Sequence, residues 1–339
     1  MRAEPSVPVP GVPLVVTSSR TRSYPFAVRL LTAAALVALV VAGAGVPAAR
    51  AHFAAERETA RSTGRAEAGP RDVRSLVGDS LFGRSGALRA RFLRPLERAR
   101  VPIARTLVGD SVTQYPGVYQ VREAGDSVAF SFITLRPFAD KRAGRIGAYR
   151  IGAWSAESRT PRSAAYAAPE GFIEVTRENR DTPVSTHFRL RDFLTKDQTD
   201  VWPKYLVLNE RLLDKLELLI RELQAEGIVA PRMTVMSGFR TPQYNAQGVG
   251  SGGRASESRH QFGDAADVYL RTDRDWMPDL TGDGRVDTRD ALRIARAVER
   301  LDARYPELVG GIGVYPATSA HGPFVHVDVR GVVARWGAW

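Results

Sequence analysis

The chain has 339 residues, 44% hydrophobic and 25% charged, with a formal net charge of +11, a composition that supports a folded core and argues against intrinsic disorder. It contains no cysteine, which excludes disulfide scaffolds, thiolate zinc fingers, iron–sulfur centres and cysteine nucleophiles and leaves any metal to Asp, Glu or the five histidines. The positive charge is spread along the chain, almost all of it as Arg, with no aromatic interleaving and no nucleic-acid motif, so no nucleic-acid partner is expected and an anionic envelope surface is the partner that suits it.

In chain order, residues 1–51 read as a cytoplasmic leader followed by a signal peptide or membrane anchor. Prolines at 5, 8, 10, 13 and 25 and Arg2, Arg20 and Arg22 flank the start of Leu30–Ala49, a charge-free apolar run about as long as a bilayer crossing requires. Basic residues ahead of the run direct the chain beyond it outward. Ala49-Arg50-Ala51 fits a small-x-small cleavage site, and Gly43, Gly45 and Pro47 favour cleavage over a stable span. The remainder is expected to be exported to the periplasm or cell envelope, anchored by 30–49 or released near Ala51. Residues 52–112, rich in Ala, Arg, Gly and Ser, read as a tether. Residues 113–155 carry the β-branched and aromatic runs VYQV, SVAFSFITL and GAYRIGAW, broken by Gly and Asp, and are expected to form a small β-rich region. Residues 156–170, with Pro161 and Pro169, read as a linker.

The segment 171–339 is expected to be one α+β domain, an antiparallel sheet with flanking helices. Leucines at 208, 212, 216, 219 and 223 recur at helical spacing up to Gly227, and Leu292, Ile294, Ala295, Val298 and Leu301 mark a second helix over 291–305. Strands are expected at 233–237, 265–270, 311–315 and 324–330.

Chemistry concentrates in two of these places. Ser258–Asp267 sets His260 and Asp267 seven residues apart, with Gly263 allowing a turn between them. In Val325–Arg330 the period of two puts the valines on one face and His326, Asp328 and Arg330 on the other. Nitrogen and carboxylate ligands suit zinc, and a catalytic zinc wants three protein ligands and an open position; His326 supplies the third in principle.

The S-x-H-x-x-G-x-A-x-D pattern of 258–267 resembles, at every fixed position, the zinc motif of the D-Ala-D-Ala metallopeptidases, the fold group that includes lysostaphin-type enzymes and hedgehog domains. Ser237-Gly238-Phe239-Arg240, followed by Tyr244-Asn245-Ala246, is similar to that family's upstream segment, and Phe324–Asp328 to its last metal strand. The resemblance covers roughly 171–339. It implies a hedgehog/D-Ala-D-Ala peptidase-like fold, His260, Asp267 and His326 as zinc ligands, and Arg240 as the group that binds the substrate carbonyl or oxyanion. It implies hydrolysis of peptidoglycan stem peptides, as a D,D-carboxypeptidase or endopeptidase, by a zinc-activated water. Many relatives place a Glu three residues, or a His two residues, before the last ligand as general base; here those positions are Pro323 and Phe324. Asp328 and His321 are the two candidates for that role, with Asp328 equally suited to orienting a ligand histidine. A zinc-containing cell-wall-binding module without catalysis is the alternative reading, and an envelope-structural protein a third.

A second metal signal lies at 279–290, where Asp279, Thr281, Asp283, Asp287 and Asp290 occupy loop positions 1, 3, 5, 9 and 12, Gly284 position 6 and the Arg285 carbonyl position 7. This is the calcium-loop template, and it resembles dockerin and EF-hand-like repeats; a structural calcium is the expectation. Gly248-x-Gly250-x-x-Gly253 satisfies the dinucleotide pattern without a βαβ context and reads as a flexible loop. No protein partner can be inferred from the sequence.

Overall fold

The structure, a computed structural model, describes residues 16–19, 78–94, 102–122, 128–228, 232–250, 252–272 and 277–339. The leader, the 30–49 apolar run and the Ala51 cleavage site lie outside these residues. Among the described residues no helix is long and apolar enough to cross a membrane.

Strands and helices mix as an α+β chain. A small sheet is built from β1 (Val16–Ser19), β2 (Ala90–Leu93), β3 (Gly117–Arg122) and β4 (Val128–Thr134) in the order β1-β3-β4-β2. Helix α1 (Pro102–Val108) belongs to its compact core, which gathers Phe82, Leu93, Val112, Val121, Phe130 and Phe132. Strands β5 (Gly171–Val175) and β6 (Lys204–Leu206) pair antiparallel. Helix α2 (Glu210–Ala225) comes next, its start capped by Asn209, whose side chain accepts from Arg211 N at 2.9 Å.

The larger sheet contains β7 (Arg232–Ser237), β8 (Ala265–Arg271), β9 (Gly311–Tyr315), β10 (Phe324–Asp328) and β11 (Ala334–Gly337) in the order β7-β8-β10-β9-β11. Its first four strands pair antiparallel, but β11 joins β9 in parallel, so the antiparallel expectation fails at this edge. Helix α4 (Thr288–Arg304) packs on β9 and β10, and α2 packs on α4; a short helix α3 (Pro242–Ala246) leads out of β7. The alternation in β10 keeps the expected period: Val325, Val327 and Val329 enter the core with Ile294, Val298 and Leu301 of α4. Each such apolar side chain contributes about 1.5–3 kcal/mol on burial. The opposite face is thereby freed for polar side chains.

The division into tether, β-rich region, linker and domain does not describe how the chain packs. The described residues all belong to one compact unit. The tether expectation fails from residue 78 onward, because Phe82, Leu88, Ala90, Phe92 and Leu93 are buried. Carboxylates of α2 hold this stretch: Asp214 accepts from Arg84 N and Ser85 N, both at 2.8 Å, and Glu210 from Phe92 N at 2.5 Å. The β-rich stretch shares a core with the segment after residue 170, since Ile146, Tyr149, Ile151 and Trp154 cluster with Phe172, Leu206 and the leucines of α2. Nor is 156–170 a free linker, because the Ala165 carbonyl accepts from Arg259 at 2.6 Å.

Candidate metal centre

Cross-strand register assembles the expected ligands. Asp267 on β8 lies opposite His326 on β10. His260 reaches the same point from a one-turn helix, Arg259–Phe262, ended by Gly263 in the left-handed conformation (φ 67°). A side chain at 263 would also collide with the Val207 carbonyl, its Cβ only 2.3 Å away, so this turn needs glycine twice over.

Three atoms converge. His260 Nε2 lies 3.1 Å from Asp267 Oδ1 and 3.1 Å from His326 Nδ1, which is 3.0 Å from the same carboxylate oxygen. All three residues are buried, and among the described residues they are the one group of His, Asp or Glu placed to hold a metal ion. The second nitrogen of each imidazole fixes its tautomer. His260 Nδ1 lies 2.6 Å from the Gly238 carbonyl, which can only accept, so the proton sits on Nδ1 and Nε2 keeps its lone pair. His326 has a carboxylate at each nitrogen, Asp328 Oδ2 3.1 Å from Nε2 and Asp267 Oδ1 3.0 Å from Nδ1, so both can carry a proton; a metal would replace the one on Nδ1 while Asp328 keeps the one on Nε2. Once the His326 Nδ1 proton is removed, two imidazole lone pairs and a carboxylate oxygen face one point, a donor set that suits a cation. Two nitrogens and one oxygen suit zinc and leave a fourth position open.

The titration of these groups is set by their neighbours. Burial opposes the charge on Asp267, but His260 and His326 outweigh it and hold the carboxyl well below its usual range. Burial pushes His260 down. It also works against charge on His326, where Asp267 and Asp328 prevail and the net direction is upward.

Asp328 lies beside the cluster but is fully enclosed. Its carboxylate accepts from Gly311 N at 2.7 Å and from Arg330 Nη2 at 2.5 Å, besides facing His326. Those contacts overcome burial and keep it ionised far below the ordinary range. A carboxylate so engaged orients His326 and has no lone pair aimed at a substrate. From behind, buried Lys215 of α2 donates to the Asp328 and Leu308 carbonyls, each at 3.0 Å, and pairs with Asp302 at 2.6 Å.

The open side is a cavity of about 670 Å³ whose wall includes Arg240, Tyr315, His321 and Trp336. Arg240 donates to Ser237 Oγ at 2.8 Å and to Asp267 Oδ2 at 2.5 Å; a bulge in β7 between Val235 and Ser237 sets that angle. Nη1 of Arg240 has no protein acceptor among the described residues. His321 is half-buried, with Nδ1 2.8 Å from the Gly322 carbonyl, so its Nε2 carries the lone pair. No family model, curated protein or solved structure matches this chain.

Sequence reasoning missed Trp336 and Tyr315. The Trp336 ring lies 5.1 Å from that of His326, and its Nε1 donates to the Tyr315 hydroxyl at 2.7 Å. Gly313 sits between the two in register and lets the indole lie flat, since a Cβ there would be 2.4 Å from Trp336 Nε1. This contact depends on the parallel edge strand, which no local pattern announces.

Among the described residues the carboxylates of 279–290 are not gathered into a metal-holding group. Asp279 accepts from Gly282 N and Gly284 N at 2.7 Å each. Asp290 is fully buried and accepts from the backbone N–H groups of Leu280, Thr281 and Asp287, closing a capping box at the start of α4. Arg289 supplies the positive charge, pairing with Asp283 at 2.6 Å and Asp287 at 2.8 Å. Thr281 Oγ1 bonds back to Asp279 at 3.1 Å and Arg285 N to Asp283 at 2.9 Å. The template residues are present, with their oxygens engaged by backbone N–H groups and by Arg289.

Proposed function

We propose that the protein is an exported zinc-dependent peptidase that hydrolyses peptidoglycan stem peptides, with a hedgehog/D-Ala-D-Ala peptidase-like site. The observation that carries the reading is the convergence of His260 Nε2, Asp267 Oδ1 and His326 Nδ1 within 3.0–3.1 Å, each histidine locked by its other nitrogen. Zinc held there supplies a Lewis acid for an amide carbonyl and lowers the pKa of a water to near neutrality. The chain's own groups do the rest. Arg240, fixed by Ser237 and Asp267, offers its remaining nitrogen to the negative charge that develops on the carbonyl oxygen. His321, with a free Nε2 on the cavity wall, takes the proton from the attacking water and returns it to the leaving amine. Asp328 keeps His326 in the tautomer that binds metal.

Support for zinc is the donor set; support for a wall peptide is the order of the three motifs and the net positive charge. The test is metal content with product masses. Purified protein is expected to hold about one zinc and to release new fragments from muropeptides by mass spectrometry, and His260→Ala to lose both. The binding-module alternative rests on Pro323 and Phe324 standing where a base is expected; it gains the case if zinc-loaded protein binds peptidoglycan and releases nothing.

A further inference from the structure

The glycine-rich stretch ahead of the zinc motif has a definite structural product, and that product is the setting of Arg254. The Arg254 N–H returns to the Gly248 carbonyl at 2.9 Å, and Val249 bridges to Arg254 in parallel. The side chain then runs directly over Gly248: a Cβ at 248 would lie 2.4 Å from Arg254 Cδ and 2.5 Å from Nε. The guanidinium stacks on the Tyr244 ring at 4.4 Å and donates Nη1 to the Tyr244 carbonyl at 2.7 Å. Asn245 anchors the next residue by donating to the Ala255 carbonyl at 2.9 Å. Arg254 is therefore held by backbone and ring, and among the described residues no carboxylate pairs with it.

It lies on the wall of the metal cavity. The carboxylates on that wall are accounted for: Glu257 is held by Arg159 at 3.1 Å and by Arg162 at 3.7 Å, and Asp267 by Arg240 and the histidines. Arg240, Arg259 and Arg330 on the same wall are each paired with a carboxylate. A fixed guanidinium with spare donors and no internal anion is a carboxylate receptor waiting for its ligand.

Resting on the peptidase reading above, we infer that Arg254 is a specificity-determining residue that binds the free terminal carboxylate of the substrate peptide. The hydrolysis is then that of a carboxypeptidase, removing the last residue of a stem peptide, with the 248–254 loop as the device that holds the arginine in place.

The experiment compares a stem pentapeptide ending in D-Ala-D-Ala as free acid and as C-terminal amide, with wild type, Arg254→Gln and Gly248→Ala. Gly248 has no positive φ, so alanine there acts by pushing the Arg254 side chain aside. Both variants are expected to retain zinc and to lose about 10–100-fold in kcat/KM on the acid, the worth of one charge-assisted hydrogen-bonded pair, with the amide unchanged. A second readout needs no turnover: N-acetyl-D-alanine titrated into metal-free protein by NMR should bind wild type and be lost in both variants. Equal losses on acid and amide, or none, overturn the inference. If wild type cleaves neither peptide, the peptidase reading fails; loss of N-acetyl-D-alanine binding in Arg254→Gln would still support the carboxylate site, and its retention would overturn that site.

Discussion

Asp328→Asn separates an orienting carboxylate from a proton acceptor. The wild-type side chain is fully buried and accepts from Gly311 N at 2.7 Å, Arg330 N at 3.0 Å, Arg330 Nε at 2.9 Å and Nη2 at 2.5 Å, while facing His326 Nε2 at 3.1 Å. Asparagine keeps one acceptor oxygen and turns the other position into a donor, aimed at either a guanidinium or an imidazole N–H. Removing one partner of a buried pair costs about 3–5 kcal/mol. Arg330 is only half-buried and recovers some solvation, which puts the expected loss near the lower end, about 3 kcal/mol. With His326 no longer held in its metal-binding tautomer, zinc affinity should fall about 10–100-fold.

The pH dependence has a definite sign. Burial opposes ionisation of Asp328, but His326 and Arg330 outweigh it and depress its pKa. Its stabilisation is fully present above the unfolded carboxylate value of about 3.9 and is lost as pH falls below that value towards the folded one. Urea unfolding of metal-free wild type and Asp328→Asn at neutral pH and at about pH 3, with chelator competition for zinc at neutral pH, measures both effects; the stability gap should narrow in acid. A variant with unchanged stability and zinc affinity but no turnover would make Asp328 the base and refute the orienting role.

Other consequences are separately measurable. His321→Gln should keep its zinc and melting temperature while kcat on a muropeptide falls by about 100-fold or more; unchanged kcat removes His321 from the chemistry. Because Asp267 and Asp328 overcome burial to raise the His326 pKa, the empty site holds its proton to higher pH than a free histidine. Zinc must displace that proton, so zinc affinity measured by chelator competition should weaken as pH falls from about 8 to 6, with proton release seen by calorimetry in buffers of different ionisation enthalpy. Asp290→Ala strands the three N–H groups of Leu280, Thr281 and Asp287 and should cost about 2–4 kcal/mol by denaturant unfolding. That cost should be the same with or without millimolar calcium; a calcium-dependent rise in melting temperature would restore the ion site.

What could be read from the chain was what repeats at short range. The valines of 325–329 reveal which way His326 points, and the leucines of 208–223 announce α2, because both signals lie within a few residues and obey one backbone period. The ligand trio was legible for a related reason: Gly263 turns the chain between His260 and Asp267, and the period of two aims His326. The packing of residues 78–94 was not legible, since its partners are α2 carboxylates more than a hundred residues away. Trp336 escaped for the same reason, reaching His326 only through a parallel pairing and the missing side chain of Gly313. The calcium template specifies residue types and not the partners they find in the fold. Arg289 and the backbone N–H groups ahead of α4 claim the same oxygens.

The metal site itself shows why the surrounding atoms matter more than the ligand list. Without metal, a proton on His326 pairs it with Asp267 among three buried donors 3.0–3.1 Å apart, and the contacts to the Gly238 carbonyl and Asp328 keep either imidazole from rotating away. A cation takes the place of that proton, and binding should stabilise the folded chain in proportion to RT ln(1 + [Zn]/Kd), since the unfolded chain lacks the arrangement. Backbone bonds also make the site preformed: Gly238 packs against Phe193, His260 is placed by the turn at Gly263, and Asp328 is held by Gly311 N and Lys215. A ligand set held from both ends of each histidine has little left to rearrange on binding. What varies a substrate's fit is then the rim, His321 and the held Arg254, and it is there that substrate choice would be decided.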